Sequence, residues 1–206
     1  MQRFSTPCTS VWPRARIHTL RLLALLLLAN LPAFSQKENR YLAGAVPVEG
    51  GIVTFSKEIR VPGMTPEQIF DRTEAWSNAR FVKTEDTDGK LLYANKENGE
   101  IVCRGDEWLT FKRTAWVLDR TRITYRMTLI CQPGVCQARI SHIQYAYQVS
   151  DNPLPERFTA EERITDKYAL NRKQDKLVRT IGKFRVYTID LTDELFGSLE
   201  DALTKP

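Results

Sequence analysis

Ile123-Thr-Tyr125-Arg-Met127-Thr-Leu129-Ile-Cys131 alternates apolar and polar residues with the period of a half-buried strand. Gln132-Pro133-Gly134-Val135 follows as a turn, because Pro presets one backbone angle and Gly accepts the left-handed one. A return arm runs from Cys136 to Tyr147, so Arg122–Val149 reads as a long β-hairpin. Setting Cys131 opposite Cys136 pairs Leu129 with Ala138, Met127 with Ile140 and Tyr125 with His142. Side chains alternate along a strand, so these residues share one largely apolar face. Thr124, Arg126, Thr128, Gln137, Arg139 and Ser141 form the other face, which suits water. One dry face and one wet face imply an antiparallel sheet covered by helices on one side.

The opposed Cys131 and Cys136 are expected to form a disulfide, with two buried free thiols as the alternative. Closing so short a loop stabilises by only about 2 kcal/mol in the chain-entropy model. A zinc site needs four ligands, and outside the N-terminal segment only Cys103 and His142 could complete one.

Residues 1–35 read as a secretory signal peptide. Arg14, Arg16 and Arg21 form a basic region without acids, Leu22–Ala29 is an apolar core, and Ala33-Phe34-Ser35 offers small residues before a cut at Gln36. The apolar run is shorter than the about 20 residues that span a bilayer. The segment holds four of the 30 Lys+Arg and none of the 25 Asp+Glu, which leaves 26 cations against 25 acids in the mature chain. At a formal +1, nucleic-acid binding loses its global electrostatic support. An exported destination, periplasmic or secreted, also permits the disulfide.

Residues 36–51 read as an irregular lead-in and 52–206 as a single domain. Ile52–Val61 is expected as the first strand. Thr65-Pro66-Glu67-Gln68 is a helix start with a capping box, and Ile69, Phe70, Thr73 and Trp76 recur at helical spacing. Asn98-Gly99 between Leu91–Ala94 and Ile101–Cys103 marks a second hairpin. Gly105 suggests a bulge or break before Trp108–Phe111. Phe158–Leu170 is expected to hold a short helix. Thr188 is expected to cap a final helix with Ile189, Leu191, Leu195, Phe196, Leu199 and Leu203 on its apolar stripe, and Asp190, Asp193 and Glu194 in its first turns. The order describes an α+β fold: a curved antiparallel sheet with two main helices on one face.

Leu42-Ala-Gly-Ala-Val-Pro47, Val53-Thr-Phe-Ser-Lys57, Ile164-Thr-Asp-Lys-Tyr-Ala-Leu-Asn171, Gly182-Lys-Phe-Arg185 and Ile189-Asp-Leu-Thr-Asp-Glu-Leu-Phe196 are phrases in which the chain resembles an uncharacterised family of secreted proteins of Gram-negative bacteria. That family is described as a domain of unknown function with a TATA-binding-protein-like fold. The resemblance implies a β-α-β-β-β-β-α order. It implies no catalytic residues, cofactor or substrate, and a fold by itself is not evidence for DNA binding.

Catalytic and metal motifs are lacking. There is no Gly-x-Ser-x-Gly, no phosphate-binding Gly loop and no His-rich metal motif, and His142 is the one imidazole after residue 35. The residues therefore point to no catalytic set, no metal and no cofactor. The one electrostatic feature is a basic run in which Arg172, Lys173, Lys176, Arg179, Lys183 and Arg185 are candidates for an anion site. The reading is an exported, non-enzymatic binding module for a small ligand, an anionic glycan or an envelope protein. An envelope-assembly or partner-binding protein is the alternative. A hydrolase built on Cys103 or His142 ranks behind both.

Overall fold

The structure is a computed structural model that describes residues 40–148 and 154–205. The expected signal peptide, its cleavage site and the start of the lead-in lie outside the described residues, as do Asp151-Asn152-Pro153. From Arg40 onward the chain forms one compact unit.

Its elements in chain order are β1 (Val48–Glu49), β2 (Ile52–Val53), β3 (Phe55–Arg60), α1 (Pro66–Arg80), β4 (Lys90–Asn95), β5 (Glu100–Arg113), β6 (Leu118–Gln132), β7 (Val135–Tyr147), β8 (Glu156–Thr159), α2 (Ala160–Arg163), α3 (Asp166–Ala169) and α4 (Gly182–Thr204). Strands β3, β7, β6, β5 and β4 are neighbours in that order, and β8 joins as a sixth on the same edge of β7 as β3. All pairings are antiparallel.

The alternation read in the sequence sorts the sheet into two faces. Ile123, Tyr125, Met127, Leu129 and Cys131 of β6, and Cys136, Ala138, Ile140, Ile143 and Tyr145 of β7, are buried under α1 and α4. Each fully buried aliphatic side chain there stabilises by roughly 1.5–3 kcal/mol. Helix α1 begins as its sequence dictates: Thr65 Oγ1 accepts from the Gln68 N–H, and the Gln68 side chain accepts from the Thr65 N–H at 2.9 Å. Trp76 packs in the core and donates from Nε1 to Ser198 of α4 at 2.9 Å.

Several expectations are corrected. Gly50 and Gly51 both take positive φ, which allows a two-residue turn, so the end of the expected lead-in (β1) and the start of the expected first strand Ile52–Val61 (β2) make a small hairpin, and that strand is divided into β2 and β3. The Cys131–Cys136 register holds, but the strands continue to Gln132 and Val135, leaving a two-residue turn at Pro133-Gly134. Gly105 does not break β5. A Cβ there would lie 2.0 Å from Cζ of Tyr125, so the glycine makes room for a buried ring lying over an unbroken strand. The short helix expected within Phe158–Leu170 is present as two, α2 and α3, with Phe158 itself in strand β8 ahead of them. Helix α4 starts at Gly182, before Thr188, which is buried inside it and bonded to Tyr145 Oη at 2.6 Å. Asp190 and Asp193 therefore sit mid-helix, where they hold Arg40.

The most consequential correction is a β-bulge. Thr124 pairs with Gln144 but Arg126 pairs with Ser141, so His142 and Ile143 together oppose Tyr125. The extra residue resets the alternation of β7. Ile143 takes the covered position expected for His142, and His142 is exposed with φ of 53°. The bulge falls between the part of β7 that pairs with β3 and the part that pairs with β8.

Candidate functional site

The face of the sheet away from α1 and α4 carries a ladder of side chains set by register. One row crosses from Lys90 (β4) through Arg104 (β5) and Arg126 (β6) to Ser141 (β7). The next toward the hairpin turn runs Tyr93, Val102, Thr128, Arg139, Ser56. On the other side lie Asp106, Thr124, Gln144, Thr159, and then Trp108, Arg122, Ala146, Arg157. These rows place Lys90, Arg104, Arg122, Arg126, Arg139 and Arg157 on one face with Asp106 as the acid among them.

The cations are not equally engaged. Arg122 binds Asp106 and the Asp86 carbonyl. Arg104 bonds the Asp88 carbonyl and carboxylate at 3.1 and 3.2 Å. Arg139 lies 3.6 Å from Glu49, with both side chains more than half exposed, so that pair contributes little. Arg126 and Arg157 have no hydrogen bond or ion pair with the described residues. Arg104 and Arg126 are direct cross-strand neighbours, and like charges so opposed destabilise a sheet. Arg126, Arg139 and His142, with Lys57 and the carboxylate of Glu58, line an open hollow of about 560 Å³. A second hollow of about 400 Å³ holds Arg122, Arg157, Asp106 and Glu162, a charge-balanced set.

The basic run singled out in the sequence is dispersed. Arg172, Lys173, Lys176 and Arg179 are exposed on the connection between α3 and α4. Lys183 is partly buried and Arg185 buried, and both are engaged by protein partners. Lys183 Nζ donates to Asp119 at 2.7 Å and Tyr147 Oη at 2.9 Å, among the rings of Phe111, Tyr147 and Phe184. Arg185 is fully buried. It donates to the carbonyls of Tyr41, Ile164 and Leu42 at 2.6, 2.6 and 2.5 Å and lies 2.7 Å from Asp166. Asp166 in turn accepts from the Gly44 N–H at 2.9 Å. Arg185 thus ties the lead-in to the domain, satisfying carbonyls that burial would otherwise orphan.

The nucleophile candidates do not converge. Cys103 is buried on the covered face, and burial pushes its thiol up to about 11 despite a bond to Ser77. His142 is on the opposite face, with Nδ1 2.9 Å from Oγ of the adjacent Ser141 and no carboxylate among the described residues bonded to its ring. A serine–histidine mechanism needs that third group to orient the base. Cys131 and Cys136 face one another as buried free thiols, so the expected disulfide is absent from this structure. The Cys131 N–H points away from Cys136, to the Gly99 carbonyl. That makes them a non-hydrogen-bonded pair, with Cα atoms typically about 4.5 Å apart, at the short end of disulfide spacing. A hydrogen bond from the Cys136 thiol lowers Cys131, and the same bond together with burial raises Cys136, so the pair titrates in two separated steps. No group of three or more potential metal ligands occurs among the described residues. No helix among them is long and apolar enough to cross a membrane.

The sheet's free edge, β4, is broken by a bulge between Leu91 and Tyr93 and flanked by Lys90 and Lys96. Such features discourage strand addition.

The architecture is an α+β, TATA-binding-protein-like fold, and the comparisons agree. Residues 55–146, β3 through β7, match the family described as a domain of unknown function (DUF4468) with TBP-like fold. A crystal structure of a DUF4468 family protein from Bacteroides ovatus is similar at 38% identity and a TM-score of 0.74, over 82% of this chain and 96% of that one. A TBP-like protein from Parabacteroides distasonis shares the fold at 21% identity and a TM-score of 0.63, over 77% and 96%. The chain belongs to the DUF4468 family. No curated protein matches it.

Proposed function

We propose that this protein is an exported, non-enzymatic binding module whose uncovered sheet face holds an acidic glycan. The observation that carries the reading is the row Lys90–Arg104–Arg126, three cations in direct register, with Arg126 unpaired among the described residues. Asp88 offsets Arg104 but no described residue offsets Arg126, and a carboxylate, sulfate or phosphate between the guanidiniums would relieve their repulsion. Thr124, Thr128, Gln137 and Gln144 add hydroxyl and amide groups on the same face, and the half-exposed ring of Tyr93 suits a sugar face. The separation of Cys103, His142 and the carboxylates weighs against a hydrolase. Export rests on residues 1–35, and an oxidising destination would also favour closure of a Cys131–Cys136 disulfide.

Calorimetric titration with polygalacturonate, against dextran as the neutral control, tests the reading. The acidic polymer should bind, dextran should not, and Arg126→Ala should weaken binding about tenfold, in line with one charge-assisted contact. Binding that ignores Arg126, or that is equal for dextran, sinks the proposal.

A further inference from the structure

The β5–β6 hairpin runs past its neighbours. The last residue of β6 paired to β7 is Thr121, opposite Tyr147, whereas β5 and β6 continue through Thr110–Arg120, Lys112–Asp119 and Arg113–Leu118. At roughly 3.3 Å per residue, the turn projects about 10 Å beyond the body of the sheet. At its tip Trp116 is 95% exposed, with Val117 and Leu118 47% and 49% exposed. The exposure comes from a defined conformation: the Thr114 N–H donates to the Val117 carbonyl at 2.9 Å, and the Val117 N–H to Thr114 Oγ1 at 3.0 Å. Exposing a large indole at an ordered tip costs solvation free energy in water, so it points to a partner.

The charges around the tip say which partner. Lys112 and Arg113 stand just before the turn, exposed and without a hydrogen bond or ion pair to the described residues. Arg120, stacked on Trp108 at 3.8 Å, follows it. The only acid from Trp108 to Thr121 is Asp119, held by Lys183 and Tyr147, and of the two acids that share a hollow with Arg113 and Arg120, Asp86 and Glu107, the latter is held by Arg80 and Tyr125. An indole and two aliphatic side chains at an apex, with a basic collar behind, match the membrane–water interface. Tryptophan partitions to headgroup depth, and each cation adds attraction to anionic lipid.

We infer that the Thr114–Leu118 turn is a membrane-docking tip that inserts Trp116 into the interface of an anionic lipid surface. The inference does not rest on the glycan reading, because the tip and the Arg104–Arg126 row share no residue.

Flotation of the full chain, as its host processes it, with phosphatidylcholine vesicles with and without phosphatidylglycerol tests the proposal. The wild type should partition onto the phosphatidylglycerol vesicles, and Trp116→Ser should lower that partition at least about tenfold. Lys112→Ser and Arg113→Ser should each lower it about fivefold on anionic vesicles only. Brominated lipids should quench part of the tryptophan fluorescence in the wild type and in Trp108→Phe, and that part should vanish in Trp116→Phe. Arg126→Ala should partition like the wild type. Absence of partition, equal partition onto neutral vesicles, or a Trp116→Ser variant that partitions like the wild type overturns the inference. So does a protein crosslinked at position 116 in cells when vesicles are not bound. Trp116 lies outside the core, so equal thermal stability of Trp116→Ser and wild type excludes misfolding as the cause of any loss.

Discussion

The two faces of β6 differ as much as two proteins would. On one, Thr121, Ile123, Tyr125, Met127, Leu129 and Cys131 are buried under helices; on the other, Arg120, Arg122, Thr124, Arg126 and Thr128 meet solvent. The same backbone hydrogen bonds serve both. The covered face is specified by packing, where a methylene is felt. The uncovered face is under no packing demand, and its concentration of arginines is what the proposed ligand contact would explain. The arginines themselves mark the contrast. Arg185 is buried with each of its three guanidinium nitrogens donating to a carbonyl, whereas Arg126 is exposed and has no partner among the described residues.

The sharpest test of that contrast is Arg185→Met. It strands the carbonyls of Tyr41, Leu42 and Ile164 and leaves Asp166 without its partner. Urea denaturation should show a loss of about 3–5 kcal/mol, the range for breaking a buried ion pair. A smaller step on the covered face is Gly105→Ala, whose methyl would collide with the Tyr125 ring. It should cost about 1–3 kcal/mol as overpacking, and a Tyr125→Leu background should absorb part of that cost.

Alkali probes the covered face more gently. The folded Cys103 thiol titrates at about 11 against an ordinary 9.0. The folded state therefore holds its proton more tightly than the unfolded chain. The associated stability is complete below pH 9.0 and declines as pH rises toward about 11. Denaturation midpoints should fall more steeply across that window in the wild type than in Cys103→Ala. Equal slopes would mean the thiol is hydrated.

On the uncovered face, Arg126→Ala should leave unfolding free energy within about 0.5 kcal/mol, or raise it slightly by relieving Arg104. A large loss would make Arg126 structural and erase the distinction between the faces. The cysteine pair should change stability in the opposite direction, as a gain. Exposed to a disulfide-forming buffer, Cys131 and Cys136 should join, and intact mass should fall by two hydrogens, with a gain of only about 2 kcal/mol.

Much of this was legible in the residues. The capping box at Thr65, the pairing of Cys131 with Cys136 and the wet and dry faces of β6 all follow from local spacing. The bulge left a trace as well: apolar residues occupy even positions at Ala138 and Ile140 but odd ones at Ile143, Tyr145 and Tyr147. That change of phase locates an inserted residue near His142. The start of α4 was less legible, because Thr188 is an apt cap whose hydroxyl is instead taken by Tyr145. The basic run does not stay together in the fold, for a physical reason. Adjacency in sequence says nothing about facing, and Lys183 and Arg185 lie on a helix whose partners, Asp119 and the lead-in carbonyls, are distant in the chain.

Periods of 2.0 and 3.6 residues are local properties, and by themselves they determined which segments of this chain extend, which coil, and which side of each turns inward. The grouping of Lys90, Arg104, Arg126 and Arg139, the release of His142 to solvent and the burial of Arg185 were decided only in three dimensions. Each depends on register between strands or on carbonyls supplied from far along the chain, and one inserted residue is enough to reset the register.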